Sequence, residues 1–253
     1  MKTTDALKDL LYRIADDELI IGHRNSEWTG LGPILEEDLA FSSMAQDELG
    51  HAYSYYKILQ ELGEGDPDWL AFNRPLKKFK SCHFVEYPIG DYAFSLVRHF
   101  LYDYAENVRL QSLTTSSFKP LSDLSQKLLR EEKYHILHAK TWMEKLGNSE
   151  REESRKHLQK ALDEAFPMAF GLFEESQFST VLAEEKIQPM ESELRDNWLE
   201  VIKPILKNSN LVFPEIVNSE KYFGGRKGNH SAHLESLLKE MSEVFAIDPN
   251  AKW

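Results

Sequence analysis

The sequence predicts an all-α protein built on a four-helix bundle, and three observations support this fold class. Apolar residues recur near a period of 3.6 in several long stretches, and no stretch shows the alternation of a strand. Glycine and proline cluster between these stretches. A Glu-x-x-His pair occurs in two of them, as Glu48 with His51 and as Glu132 with His135. Residues three apart share a helix face, so each pair places a carboxylate and an imidazole side by side.

Residues 5–24 and about 33–63 predict the first two helices, joined by a turn-rich segment. The acidic run 16–18 interrupts the apolar pattern of the first helix and predicts a solvent-facing stripe. The first Glu-x-x-His pair lies in the middle of the second helix. Taken alone, this pair would be a surface glutamate and a core histidine. Gly50 is expected to lower the steric bulk beside His51.

Two further helices are predicted over about 90–115 and 121–146, after a long connection over 63–88 that contains several prolines and glycines. The earlier of the two is rich in aromatic residues and carries Asp103 and Glu106. A carboxylate in such surroundings faces water, binds a cation or has a raised pKa. These three possibilities remain open from the residues alone.

The order of short, long and short connections is the ferritin-like pattern, in which two antiparallel hairpins are joined by one crossover. We therefore expect one ferritin-like domain over 1–253, with a core bundle at about 5–146 and a helical extension at about 147–253. The extension is predicted to contain helices at about 150–166, 180–208 and 231–246, with a break or kink at Pro167 and a flexible basic turn at 224–230.

Composition narrows the classes of function. The 253 residues carry a formal net charge of −12, which disfavours nucleic acid and anionic membranes as main partners. The single cysteine, Cys82, excludes an internal disulfide and a cysteine-based zinc cluster, and it is expected to be structural. There is no apolar run of membrane-spanning length and no signal peptide at the start, so a cytoplasmic protein is expected.

The repeated pair points to metal chemistry. Carboxylates and neutral imidazoles suit iron and manganese, and bridging carboxylates hold two such ions close together. Glu48 and Glu132 are the candidate bridges, and His51 and His135 would each bind one ion. One carboxylate from the first helix and one from the third would complete the set. Two irons can activate dioxygen, which organic side chains cannot do alone. His138 is expected to be a solvent-facing or supporting group instead of a ligand.

Several stretches resemble the phenylacetic acid catabolic family, the ferritin-like subunits of a multicomponent phenylacetyl-CoA oxygenase (a ring 1,2-epoxidase). The resemblance covers nearly the whole chain and is strongest to the C-type subunit. It is carried by residues 22–28, 35–38, 98–103 and 134–139, and by the end pattern from Gly224-Gly225-Arg226 to Trp253.

The chain departs from the C-type pattern in an informative way. C-type subunits usually lack iron ligands and support a catalytic A-type subunit, whereas residues 46–51 here are similar to the A-type motif. The resemblance implies a ligand in every A-type position: Glu18, Glu48, His51, Asp103, Glu132 and His135. It also implies a di-iron monooxygenase, with manganese as a possible substitute, in which Asp103 is either a ligand or a proton relay.

The resemblance further implies an aryl-CoA thioester substrate, other oxygenase subunits, a reductase that supplies electrons, and a homo- or hetero-oligomer. Arg98, Arg109 or Arg226 would be available to meet the CoA phosphates. Two other hypotheses remain. The chain could be a non-catalytic subunit that stabilises the catalytic one, or a ferritin-like iron store or oxidase, which nothing in the sequence suggests.

Overall fold

The computed structural model describes residues 2–215 and 219–249, and these residues contain no β-strand. The predicted all-α class is therefore confirmed. The described α-helices are α1 (Thr3–Ser26), α2 (Leu35–Glu61), α3 (Pro67–Phe72), α4 (His83–Glu86), α5 (Tyr92–Leu113), α6 (Lys119–Gly147), α7 (Glu152–Ala169), α8 (Ser179–Glu184), α9 (Glu191–Asn208) and α10 (Leu234–Met241). None of the described helices combines the length and the apolar character needed to cross a membrane.

The chain groups into two compact units. The first unit contains the described residues 2–88 and 224–249, with α1 to α4 and α10. The second unit contains the described residues of 89–223, with α5 to α9. Each unit holds one of the two predicted helix hairpins. The single domain over 1–253 stays a prediction.

In the first unit, α1 and α2 form an antiparallel hairpin. Contacts occur at both ends of the pair: Lys8 Nζ donates to Glu64 Oε1 at 2.6 Å, just beyond the end of α2, and Asn25 contacts Glu48 further along. Gly22 lies where the two helices come close. A Cβ on Gly22 would stand 3.1 Å from Leu49 Cγ and 3.2 Å from the Ala45 carbonyl oxygen. Glycine therefore permits the close approach of α1 to the middle of α2.

The acidic run of α1 is buried, so the predicted solvent-facing stripe is wrong. Asp16 pairs with Arg74, in the connection after α3, and Asp17 pairs with Arg226, just before α10. Both arginines are distant in sequence, which is why the periodicity of α1 alone suggested solvent. Buried carboxylates are tolerated because each has an ionic partner and further hydrogen bonds.

The sequence predicts a flexible basic turn at 224–230, but this segment is packed inside the first unit, against residues of 2–88. Arg226 is buried, and its guanidinium also donates to the carbonyl oxygens of Arg13 and Lys80. Gly228 has a φ of +80°, a conformation that favours glycine. A Cβ on Gly225 would stand 2.2 Å from the Ser81 carbonyl oxygen, so glycine is required for this packing.

In the second unit, α5 and α6 form the other antiparallel hairpin. The Asp91 side chain caps α5 by accepting a hydrogen bond from the Phe94 amide at 2.8 Å. α7 and α9 pack against α5. Trp198 of α9 is fully buried, stacks on Phe166, and donates from Nε1 to the Leu101 carbonyl oxygen at 3.1 Å. These contacts hold α5 against α7 and α9.

The predicted extension differs from the structure in three places. α7 continues through Pro167 to Ala169, so the break predicted at that proline is wrong. The helix predicted over 180–208 is two helices, because Lys186 adopts a φ of +56° and Pro189 precedes α9. α10 is shorter than the predicted 231–246. The last part of the end pattern, residues 250–253, lies outside the described residues.

Candidate metal centre

Three of the predicted ligands lie in the first unit, where α1 faces α2. Glu18 of α1 and Glu48 and His51 of α2 are each about 1% exposed. His51 Nδ1 lies 3.5 Å from Glu18 Oε2. The antiparallel pairing of α1 and α2 thus places Glu18, the ligand implied by the resemblance, next to the imidazole of His51. The alternative of a surface glutamate at position 48 is wrong.

Asn25, which the sequence analysis did not single out, contacts this group. Its side chain is fully buried, and Nδ2 donates to Glu48 Oε1 at 3.2 Å and to Oε2 at 3.0 Å. Asn25 lies seven residues after Glu18, so both fall on one face of α1. That spacing is the signal that could have identified it.

The other three predicted ligands lie in the second unit, on facing helices α5 and α6. Asp103, Glu132 and His135 are all buried. Each offers one ligand atom, and these atoms lie within 4.8 Å of one another. His135 Nδ1 lies 3.2 Å from Glu132 Oε1. The second Glu-x-x-His pair and the aspartate of α5 are thus brought together, as the resemblance implied.

Two more histidines surround the group in the second unit. His99 lies one turn before Asp103 on α5, and its Nδ1 is 3.1 Å from Asp103 Oδ1. Burial lowers the pKa of His99 well below its ordinary value, with a further contribution from His135 and His138. The ring centroids of His99 and His138 are 5.9 Å apart. His99 was missed from the sequence, although its i, i+4 spacing from Asp103 could have indicated it.

The group in each unit fits a hard or borderline divalent metal ion. Each group contains two carboxylates and one imidazole, which suit iron and manganese. Buried carboxylates at such spacing are costly without a compensating cation. In the first unit, the buried Asn25 Oδ1 atom has no hydrogen-bond partner among the described residues.

Other sequence-based expectations are corrected. Gly50 is exposed, and a Cβ there would meet nothing within 4 Å, so it does not relieve crowding beside His51. His138 is buried, so the solvent-facing alternative is wrong, and its role as a supporting group stays a prediction. Cys82 is buried as expected of a structural cysteine, and burial raises the pKa of its thiol.

The three arginines suggested for CoA phosphates do not present their guanidinium groups to solvent. Arg98, Arg109 and Arg226 are all at least nine-tenths buried. Arg109 Nη2 pairs with Glu191 Oε2 at 2.9 Å, and Arg226 is held by Asp17. The guanidinium groups of Arg109 and Arg226 are therefore held in buried ion pairs.

Comparisons with known proteins show the fold and the family of the chain. In fold, the chain is similar to a Synechococcus protein described as protein 19 with aldehyde deformylating oxidase activity, with a TM-score of 0.59 and 14% identity over 88% of this chain and 98% of that one. This likeness confirms the predicted ferritin-like fold and shows no more than the fold.

In sequence, the chain is 31% identical over 243 residues to the C-type subunit of 1,2-phenylacetyl-CoA epoxidase from Escherichia coli strain K12, covering 95% of this chain and 96% of that relative. The family described as phenylacetic acid catabolic protein matches residues 1–253. The chain therefore belongs to the phenylacetic acid catabolic protein family.

Proposed function

We propose that this chain is a subunit of a multicomponent oxygenase that epoxidises the ring of an aryl-CoA thioester, phenylacetyl-CoA, and that it carries a di-iron centre of its own. The observation that carries the proposal is a complete set of buried carboxylate and histidine donors in a chain related over nearly its whole length to an epoxidase subunit. A subunit without a metal has no need to keep six such donors buried, since each costs stability.

The proposed ligands are Glu18, Glu48, His51, Asp103, Glu132 and His135. This set matches the ligand rule of ferritin-like di-iron proteins, a Glu-x-x-His from each of two helices and a carboxylate from each of two others. Glu48 and Glu132 would be two of the carboxylates that hold the metal. When bound, a pair of irons supplies the activation of dioxygen that side chains cannot provide. Manganese is the alternative metal, because it accepts the same donors.

The chain's own residues have further proposed roles. His99 Nδ1 lies 3.1 Å from Asp103 Oδ1, so His99 is proposed to position the Asp103 carboxyl group. Asp103 is proposed either to bind a cation or to relay a proton at a carboxylate oxygen. The buried surroundings of these groups exclude bulk water from that exchange.

The relative from Escherichia coli is by its name one subunit of an epoxidase. This supports an assembly of the present chain with other oxygenase subunits and with a source of electrons, for which a reductase is the proposed partner. The oligomer is proposed to be a hetero-oligomer. A cytoplasmic location remains a prediction.

A second candidate is a non-catalytic subunit that stabilises the catalytic one. The observation that favours it is the relationship to a C-type subunit, together with the burial of all three arginines once expected at CoA. On this hypothesis the six donors would be inherited without a bound metal, and their replacement would not change the activity of the assembled complex.

Metal content of the purified chain separates the two candidates. We expect about two irons per chain after anaerobic loading with ferrous ion, the number expected for a ferritin-like di-iron site. Glu48→Ala should lose this metal, whereas Glu61→Ala, an exposed position on the same helix, should keep it. A folded wild-type chain that binds no iron would overturn the di-iron proposal in favour of the stabilising subunit. Metal retention in Glu48→Ala would overturn the ligand assignment.

A further inference from the structure

One face of α1 packs against the part of α2 that carries the proposed ligands Glu48 and His51. Glu18, Gly22 and Asn25 stand at i, i+4 and i+7, which places them in one stripe of a helix. Glu18 contacts His51, Gly22 lets the backbones approach, and Asn25 contacts Glu48. Glu18 and Asn25 thus contact the first Glu-x-x-His pair, and Gly22 allows the close helix packing that these contacts need.

The orientation of the Asn25 amide follows from its partner. A carboxylate oxygen accepts hydrogen bonds, so the end of the amide that lies 3.0 and 3.2 Å from the two oxygens of Glu48 is the donor, Nδ2. One donor group spans both carboxylate oxygens. This contact fixes the rotation of the carboxylate plane as well as its position.

The other end of the same amide is an acceptor without a donor. Asn25 Oδ1 is buried, and no described residue donates a hydrogen bond to it. A buried acceptor without a partner costs free energy, so such an atom normally has a function or an ordered water beside it. Asn25 is the second-last residue of α1, yet its side chain turns to Glu48 and does not cap the helix end.

We propose that Asn25 is a positioning residue for the metal centre: Nδ2 holds the Glu48 carboxylate in its ligand orientation, and Oδ1 accepts a hydrogen bond from a water held beside Glu48. This inference rests on the proposed function, because it concerns Glu48 as a ligand. Partners of this kind orient the groups that bind a metal, and their loss typically weakens metal affinity by about 10- to 100-fold.

The test measures the binding of Co²⁺, a spectroscopic probe of the metal site, to the full-length chain. Three variants are compared with wild type by competition against a chelator and by the visible spectrum of the bound ion. Asn25→Leu removes the donor, and Asn25→Asp keeps the side-chain shape but replaces the donor with an acceptor. Ser81→Ala is the matched control, since Ser81 is a buried donor to a carboxylate of the same unit, Glu86 Oε1 at 2.9 Å, that is not a proposed ligand.

We expect Asn25→Leu to bind Co²⁺ about 10- to 100-fold more weakly and with a changed spectrum. Ser81→Ala should lower the melting temperature but leave affinity and spectrum unchanged. If Asn25→Leu does not fold, a changed spectrum in Asn25→Asp supports the inference in its place. Wild-type affinity and spectrum in a folded Asn25 variant would overturn the inference while leaving the proposed function intact. A wild-type chain that binds no metal would overturn both.

Discussion

Arg226 Nη2 lies 2.6 Å from Asp17 Oδ2, and both side chains are buried. The two residues are 209 positions apart, so this ion pair joins α1 to the segment before α10. Asp17 also accepts a hydrogen bond from the Cys82 amide at 2.8 Å. The residue beside the proposed ligand Glu18 is therefore held by two later parts of the chain.

Arg226→Ala should destabilise the fold strongly. Removal of the arginine takes away a buried ionic partner of Asp17, and breaking a buried ion pair in this way typically costs about 3 to 5 kcal/mol. Lys119→Ala is the control, since it breaks a solvent-exposed ion pair with Asp123, and such changes stay within about 0.5 kcal/mol. Urea denaturation monitored by circular dichroism measures both. An equal loss of unfolding free energy in the two variants would contradict the expectation that the Asp17–Arg226 ion pair stabilises the fold.

Gly22→Ala and Gly50→Ala should have opposite effects on stability. Alanine favours a helix over glycine by about 1 kcal/mol at either position. At Gly22, however, the new Cβ meets the Ala45 carbonyl oxygen at 3.2 Å, and backbone atoms cannot yield cheaply. Overpacking costs about 1 to 3 kcal/mol, so the net result is a loss of about 1 kcal/mol. At Gly50 nothing lies within 4 Å, and we expect a gain of about 1 kcal/mol.

Thermal melting of the two variants and of wild type provides the comparison. A stabilised Gly22→Ala variant would mean that α1 and α2 can separate freely at this point.

The two helix hairpins could be predicted from the sequence, because a long amphipathic helix is recognisable from the period of its apolar residues. The pattern of α1, α2, α5 and α6 extends over 22 residues or more in each case. The break inside the predicted helix 180–208 was missed, since residues around Lys186 continue the apolar period although the backbone does not. Two prolines show that a proline in the sequence does not by itself predict where a helix ends. Pro167 lies inside α7, whereas Pro189 precedes α9.

The candidate site was predicted less completely than the fold. Repetition identified the two Glu-x-x-His pairs, and the resemblance identified Glu18 and Asp103. The burial of Asp16 and Asp17 could not be predicted, because it depends on arginines 58 and 209 positions away. Asn25 carries no chemical signature of its own, and only the pairing of α1 with α2 reveals its contact with Glu48.

Cys82 should resist thiol reagents in the native protein. Burial raises the pKa of its thiol, so the reactive thiolate is scarce at neutral pH, and the side chain is about 1% exposed. We expect negligible labelling by a disulfide reagent at pH 8 and one thiol per chain after denaturation in guanidinium chloride. Rapid labelling of the native chain would show that the segment around Cys82 opens readily.

Acid should destabilise the first unit through His23. Burial lowers the pKa of His23 from 6.5 to about 4. Below pH 6.5 the unfolded chain takes up this proton, while the folded chain does so only near pH 4, so stability falls as the pH drops through that window. We expect the free energy of unfolding of wild type to fall by about 3 kcal/mol more than that of His23→Gln between pH 7 and 4. Parallel curves for the two proteins in urea titrations would show that His23 does not contribute.

His135→Ala and His138→Ala should differ in metal binding although both histidines are buried on α6. His135 Nδ1 lies 3.2 Å from Glu132 Oε1, and its ligand atom is close to that of Asp103. His138 instead lies beside the ring of His99, with centroids 5.9 Å apart, and it is not part of the Asp103, Glu132 and His135 group, so we expect it to support the site without binding the metal.

Elemental analysis after anaerobic iron loading tests this difference. We expect His135→Ala to lose most of its iron, since a ligand is gone, and His138→Ala to keep the wild-type content with at most a modest loss of affinity. Circular dichroism on both variants establishes that the helices are intact. Loss of iron in His138→Ala with retention in His135→Ala would reverse the assignment, because the imidazole three residues further along α6 would then be the one that binds the metal.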